Sequence, residues 1–263
     1  MGRLIQLDVL GCHGGETPHH RTSAFVLDGR LAIDAGALTS GLTLKEQAKL
    51  EVCLVSHAHL DHIRDLATIA DNRAQLGAEP LVVAGTAFTI ELLKKHFFNG
   101  QLWPDFTHIP TKHTPAIRYQ AMKPEKAYEL AGFRVRAVLV SHTIETCAFV
   151  VEGQGAGKKR AIAYSGDTGP TNRLWEVLER TDNLAAILME VSFPNAQQAL
   201  ATRSGHHTPR TLEGEIKKYS KIKDIPTLLY HIKPTFQREV ERECSKIRGS
   251  ELVILKLGDR FAF

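Results

Sequence analysis

Cysteine is scarce in this chain: Cys12, Cys53, Cys147 and Cys244 stand far apart in 263 residues and form no C-x-x-C. That spacing excludes a disulfide-stapled scaffold, a thioredoxin-type redox pair and a cysteine-built zinc site. Three of the four sit in or beside strand-like runs, where a free thiol is small buried filler. Long apolar runs are missing as well, and nothing approaches the roughly 18 residues that a membrane helix needs. The opening MGRLIQLDVLG holds no apolar signal core, and Gln6 breaks the myristoylation pattern. These absences predict a soluble protein of the reducing cytoplasm, with no membrane partner. Charge of one sign is equally sparse, since 33 Lys and Arg against 29 Asp and Glu leave a formal net charge of +4. Basic groups such as Lys94-Lys95 and Lys158-Lys159-Arg160 are short and scattered, so no track for nucleic acid is expected.

What is present suits one sizeable core. The chain is 43% hydrophobic, and its length fits a single α/β domain over residues 1–263. Short apolar, β-rich runs predict strands at 4–10, 24–27, 31–33, 52–55, 81–84, 133–140, 147–151, 161–164, 185–189, 227–230 and 252–255. Helical patterns fall at 44–50, 63–70, 86–97, 172–180, 209–219 and 235–247. Early strands run as hairpins and later ones alternate with helices. Two sheets face to face with helices outside satisfy both styles. Residues 99–127, rich in Pro, His and aromatics, read as an irregular lid or rim. EGQGAGKK (152–159) imitates a phosphate loop, but it is one residue short and has Lys159 where Ser or Thr should hold magnesium. Between two strand-like runs it reads as a hairpin turn.

The densest polar cluster is SHAHLDH (56–62), placed directly behind the apolar run at 52–55. In an extended chain His57 and His59 point the same way. Asp61 and His62 follow at what reads as a helix start. Imidazole nitrogen with carboxylate oxygen is the ligand set of zinc, manganese or iron. Three more polar residues follow apolar runs directly: His142 after RAVLVS, Asp167 after AIAYSG and His231 after PTLLY. Taken singly each reads as structural; as a set placed at strand ends they predict convergence on one edge of the sheets. For proton transfer the chain offers Glu190 in MEVSF, and His206 and His207 in SGHHTP.

H-x-H-x-D-H (57–62), a strand-end His, Gly-Asp-Thr (166–168), a late strand-end His and an early Ile-Asp-Ala-Gly (33–36) together resemble the metallo-β-lactamase fold superfamily. The resemblance implies a four-layered αββα sandwich with a metal site at one sheet edge. It further implies one divalent ion on His57, His59 and His142, a second on Asp61, His62 and His231, and Asp167 bridging them. Asp167 fills the slot where some lactamases carry Cys, which favours the binuclear phosphodiesterase-like branches.

Gly-His-x-Thr after a Glu-x-Ser-Phe segment is similar to the ribonuclease Z-like branch, in which that His (here His206) protonates the leaving oxygen and the Glu (Glu190) supports it. HLDHI (59–63), EVSFPN (190–195), SGHHTP (204–209), YHIKP (230–234) and GGETPHHRTSAFVLDG (14–29) together look like the class II cyclic-nucleotide phosphodiesterases. Arg64-Asp65 departs from that pattern, where small residues are expected. The expectation is hydrolysis of a 3′,5′-cyclic nucleotide, cAMP or cGMP foremost, to the 5′-monophosphate. Two divalent metals, with zinc first and manganese or iron as alternatives, would supply a bridging hydroxide. Asp61 would take a proton from that hydroxide. The alternatives are a ribonuclease Z-like tRNA 3′-processing nuclease and a metal-stabilised nucleotide sensor that cleaves nothing. Base contacts could come from His19, His20, Thr146 or 99–127. A homodimer is compatible with this branch, although no interface stripe is visible.

Overall fold

Residues 133–140 show why this chain builds sheets. Phe133, Val135 and Ala137 are buried on one side while Arg134 and Arg136 turn away, a period of two that gives a strand an apolar face. The computed structural model describes residues 4–154 and 159–263. Among them the first sheet takes β1 (Gln6–Gly11), β2 (Ala24–Leu27), β3 (Leu31–Ile33), β4 (Val52–Leu54), β5 (Leu81–Thr86) and β6 (Ile117–Met122). The second takes β7 (Ala127–Leu130), β8 (Phe133–Val140), β9 (Thr146–Gln154), β10 (Lys159–Tyr164), β11 (Leu184–Glu190), β12 (Pro226–Tyr230) and β13 (Glu251–Ile254). The last strand, β14 (Arg260–Ala262), returns to the first sheet beside β1.

Strand order is β14-β1-β2-β3-β4-β5-β6 in one sheet and β13-β12-β11-β10-β9-β8-β7 in the other. Each sheet begins antiparallel and finishes parallel, the change falling at β3–β4 and at β10–β11. Helices cross over in the parallel halves, as parallel pairing requires. They are α1 (Leu38–Gly41), α2 (Leu44–Lys49), α3 (Leu60–Ile63), α4 (Leu66–Leu76), α5 (Ala87–Leu92), α6 (Arg173–Glu179), α7 (Gln198–Ser204), α8 (Pro209–Ile216) and α9 (Gln237–Cys244).

Three separate apolar clusters identify the layers. Phe25, Leu27, Ile33, Phe133, Phe149, Tyr164 and Leu188 pack between the sheets. Ala32, Val55, Ile69, Val83 and Leu93 join the first sheet to its helices, and Ala163, Leu174, Ile187, Leu212 and Val240 join the second to its own. Three cores between four layers make the αββα sandwich expected from sequence. All four cysteines are buried and unpaired. No helix among the described residues is long and apolar enough to cross a membrane.

Three differences from the sequence reading have physical reasons. The run at 63–70 is split, because the Asp65 N–H leaves the helical ladder to bond the Ala35 carbonyl at 2.8 Å, separating α3 from α4, while its carboxylate accepts Thr39 N–H and O–H at 2.8 and 2.6 Å. The segment 99–127 is irregular only as far as Ala116; β6 then pairs in parallel with β5 as the sheet's last strand. Exposure along β6 is mixed, so it lacks the alternation of a half-buried strand. The hairpin turn expected within 152–159 falls largely on 155–158, outside the described residues, although Lys159 pairs with Gln154 across it.

Candidate active site

At the end of β4 the chain leaves the sheet through residues 56–59 and enters α3 with His59 as its N-cap. His57 Nε2 comes to 3.0 Å from His59 Nδ1, and His142 Nε2, beyond the end of β8, lies 3.3 Å from that same atom. In the second sheet β10, β11 and β12 run parallel, so their carboxyl ends share one edge. Asp167, Glu190 and His231 stand there. Asp167 Oδ2 lies 3.8 Å from His57 Nε2, 3.3 Å from His62 Nε2 and 3.2 Å from His231 Nε2. Asp61 Oδ2 is 3.5 Å from His231 Nε2 and 3.9 Å from His62 Nε2. Two triads, His57–His59–His142 and Asp61–His62–His231, each bring their ligand atoms within 4.8 Å of one another. Asp167 lies beside both.

The donor set fits divalent metal. Burial holds the imidazoles of His57, His59 and His142 below their ordinary pKa, which keeps them neutral with lone pairs available. His62 Nε2, His231 Nε2 and Asp167 Oδ1 are buried and have no hydrogen-bond partner in the protein. An unsatisfied buried polar atom costs about 1–3 kcal/mol, and a cation held by His62, His231 and Asp167 would remove that cost. Nitrogen and carboxylate oxygen suit zinc, manganese or iron.

Outer groups orient the rings. His62 Nδ1–H donates to Asp34 Oδ2 at 2.7 Å, His142 Nδ1–H to the Gly205 carbonyl at 2.9 Å and His231 Nδ1–H to Ser192 Oγ at 2.8 Å. Each bond leaves Nε2 as the free lone pair. Asp34 also accepts Ser56 N–H and O–H, both at 2.8 Å, and Tyr164 O–H at 2.5 Å. Burial opposes charge on His62, yet without a metal Asp167 and Asp34 hold its pKa well above the ordinary value, so a cation at Nε2 would take the place of a proton there. Asp34 and His231 both have positive φ, 56° and 70°, a strain that persists where surrounding contacts over-determine the backbone.

Two glycines permit close approach. A Cβ on Gly14 would lie 2.4 Å from the His231 carbonyl oxygen and 3.0 Å from its Nδ1. Gly205, at φ 67°, presses on His142, where a Cβ would lie 2.9 Å from Nδ1.

Beside the triads, His206 Nδ1 lies 3.0 Å from Glu190 Oε1. Its ring stacks on His231 with centroids 5.1 Å apart and meets His142 edge-on at 5.0 Å. Glu190 is fully buried and also accepts the Thr168 N–H at 3.1 Å and the His207 N–H at 3.3 Å. Burial pushes its carboxyl up to about 7 against the pull of His207, and lowers His206 below the ordinary imidazole value. His207 points elsewhere, its Nδ1 3.1 Å from Thr211 Oγ1.

The seven proposed ligands, Glu190 and His206 therefore converge, while the His207 side chain does not join them. Of the suggested base contacts, Thr146 is fully buried with its hydroxyl on the Ile144 carbonyl, and His20 is held between Thr17 and Gln237. Sequence reasoning passed over Asp34 and Ser192. Asp34 follows β3 just as Asp167 follows β10, so the strand-end signal was available for it.

Comparison with known proteins bears on the family and the fold. The sequence model of the Beta-lactamase superfamily domain matches residues 30–232. A probable 3′,5′-cyclic-nucleotide phosphodiesterase of Yersinia pestis is 26% identical over 238 residues, covering 80% of this chain and 67% of that protein. The 3′,5′-cyclic-nucleotide phosphodiesterase of Aliivibrio fischeri is 25% identical over 302 residues, covering 97% and 88%. The unliganded structure of yeast PDE1 superposes with a TM-score of 0.83 at 19% identity, covering 99% of both chains.

Proposed function

The chain belongs to the Beta-lactamase superfamily, and from that premise we propose that it hydrolyses 3′,5′-cyclic nucleotides, cAMP or cGMP, to 5′-monophosphates with two divalent ions, zinc foremost. His57, His59 and His142 would hold one ion; Asp61, His62 and His231 would hold the other, with Asp167 between them. When bound, such a pair would acidify a water and neutralise phosphate oxygens. The protein's own part is positioning and proton transfer. Burial opposes ionisation of Asp61, yet His231 and His62 hold its carboxylate below the ordinary range, so it stays ionised as a ligand; its proposed part in taking a proton from the attacking water rests on its place beside the triad. On the other side His206, its Nδ1–H held by Glu190, would give the departing 3′-oxygen a proton from Nε2 in its imidazolium form, a minor form in the free protein because burial lowers its pKa, and would be reprotonated from solvent.

The observation that carries the reading is the His206–Glu190 pair stacked directly against the ligand triads. Names borne by the two curated relatives point to the same substrate class. A tRNA-processing nuclease would need a basic arm for a long polyanion, and residues 99–116 hold Lys112 as their one lysine and no arginine. The same reading treats residues 1–263 as one catalytic unit acting on a small molecule in the cytoplasm.

The test is a product assay on purified protein of measured metal content, offered cAMP, cGMP, cCMP, cUMP, a cyclic dinucleotide and precursor tRNA with zinc or manganese. A 5′-mononucleotide from any of the four cyclic mononucleotides supports the proposal and ranks the bases. Cleavage of tRNA alone, or no product from a chain carrying two metals, refutes it.

A further inference from the structure

Ser192 lies two residues beyond Glu190, at the end of β11, and is fully buried. Its single hydroxyl meets four groups: Glu190 Oε2 at 3.0 Å, His231 Nδ1 at 2.8 Å, His206 Nδ1 at 3.3 Å and the His231 carbonyl at 3.2 Å. One proton cannot serve them all, and chemistry decides the direction. Glu190 Oε1 is already occupied by the N–H groups of Thr168, His207 and His206, and Oε2, nearer to Ser192 than the His231 carbonyl is, accepts the Ser192 O–H. Its oxygen lone pair is then left to accept the Nδ1–H of His231. That bond fixes the His231 tautomer with Nε2 unprotonated, and Nε2 is the buried atom left without a partner beside Asp167 and Asp61. On the other carboxylate oxygen, Glu190 Oε1 accepts the Nδ1–H of His206.

The result is a directed chain from His231 Nδ1–H to Ser192, from Ser192 O–H to Glu190, with His206 Nδ1–H closing on the same carboxylate. Backbone bonds hold the junction in place. Ser192 N–H donates to the His207 carbonyl at 3.0 Å, and the Ser192 carbonyl accepts Lys233 N–H at 3.2 Å. Segments at 190–192, 206–207 and 231–233 therefore meet at this one residue.

We infer that Ser192 is a positioning residue that sets the His231 tautomer for metal and joins that ligand to the His206–Glu190 proton-delivery pair. This rests on reading His231 as a ligand and His206 as the proton donor. A methyl group in place of the hydroxyl removes both functions at once: His231 is free to adopt the other tautomer, and Glu190 loses a donor that orients it. Loss of an outer-shell partner of this kind lowers metal affinity about 10–100-fold.

The experiment titrates zinc into metal-stripped wild type, Ser192→Ala, Ser192→Cys and Ser192→Thr, with histidine side-chain nitrogen NMR on apo and loaded samples. Expected are two equivalents in the wild type, with one of them weakened about 10–100-fold in Ser192→Ala while the other is unchanged. The His231 Nδ1–H signal is lost in that variant, and kcat falls by a larger factor than KM changes. Ser192→Thr restores the second equivalent and the signal. Ser192→Cys, close in volume but a poor hydrogen-bonding group, falls between and carries the test should the Ala variant not fold. Wild-type affinity at both sites and an unchanged His231 signal in Ser192→Ala overturn the inference alone. A wild type that takes up no zinc overturns the metal reading and the inference with it.

Discussion

Asp34→Asn should damage metal binding without touching a proposed ligand. Asp34 Oδ2 accepts three donors, from His62, Tyr164 and the Ser56 hydroxyl, while Oδ1 accepts the Ser56 N–H. An asparagine has one acceptor oxygen. Its cheaper orientation keeps that oxygen toward the three donors and turns NH2 toward the Ser56 N–H, leaving two buried donors face to face. That clash costs about 1–3 kcal/mol, and replacing a charged by a neutral acceptor weakens the other bonds by about 1 kcal/mol each. Shared partners make these losses less than additive, so on the order of 4 kcal/mol is expected. For a protein of this size that lowers the melting temperature by roughly 10 °C. His62 also loses the bond that orients it, so one zinc equivalent should weaken about 10–100-fold. Calorimetric titration of stripped protein with zinc, beside thermal melts of the apo form, reads both effects. Tyr164→Phe removes one neutral donor and should cost about 1 kcal/mol with zinc uptake preserved. Asp34→Asn that melts with the wild type and binds two zincs at wild-type affinity would refute this account of the outer shell.

Three further outcomes follow from the geometry. His206→Gln should retain both metals but lose about 10²–10⁴-fold in kcat on a cyclic nucleotide; parallel loss of metal would make His206 a ligand instead. Gly14→Ala should displace His231 and cost one zinc equivalent, since its methyl would sit 2.4 Å from the His231 carbonyl, whereas Gly15→Ala meets only Pro234 at 3.2 Å and should bind two; equal zinc binding by both variants would contradict the close-approach argument. Burial pushes the Cys12 and Cys244 thiols up to about 12 and raises Cys53 and Cys147 as well, so at pH 8 all four stay protonated. Iodoacetamide should therefore leave the native chain unmodified and alkylate four sites after denaturation; rapid native labelling counted by mass spectrometry would show a thiol open to solvent.

Strands β2 and β3 were legible to the residue because layers cover both their sides, and β8 because its inner face alternates with exposed positions. β6, β7 and β14 were not. β6 and β7 are each the last strand of a sheet, and β14 is three residues with exposed ends. Half-covered strands carry little of the apolar pattern that betrays a central one. α7 escaped notice for a related reason: of its seven residues only Ala201 is buried.

The site divides along the same line. Its proposed ligands were visible because an ionisable side chain directly after an apolar strand has no packing reason to be there. Asp34 follows a strand as the proposed ligands do, whereas Ser192 obeys a different logic and acts only by accepting and relaying hydrogen bonds. A buried Ser next to Phe193 reads in sequence as small filler. What distinguishes it is that residues 190, 206 and 231, up to 41 positions apart, bring three polar atoms onto one oxygen. That convergence belongs to the parallel order of β11 and β12 together with the loop before α8, and local pattern does not encode it. Sequence thus exposes the atoms that would touch metal, while the bonds that aim those atoms emerge only when the two strands stand side by side.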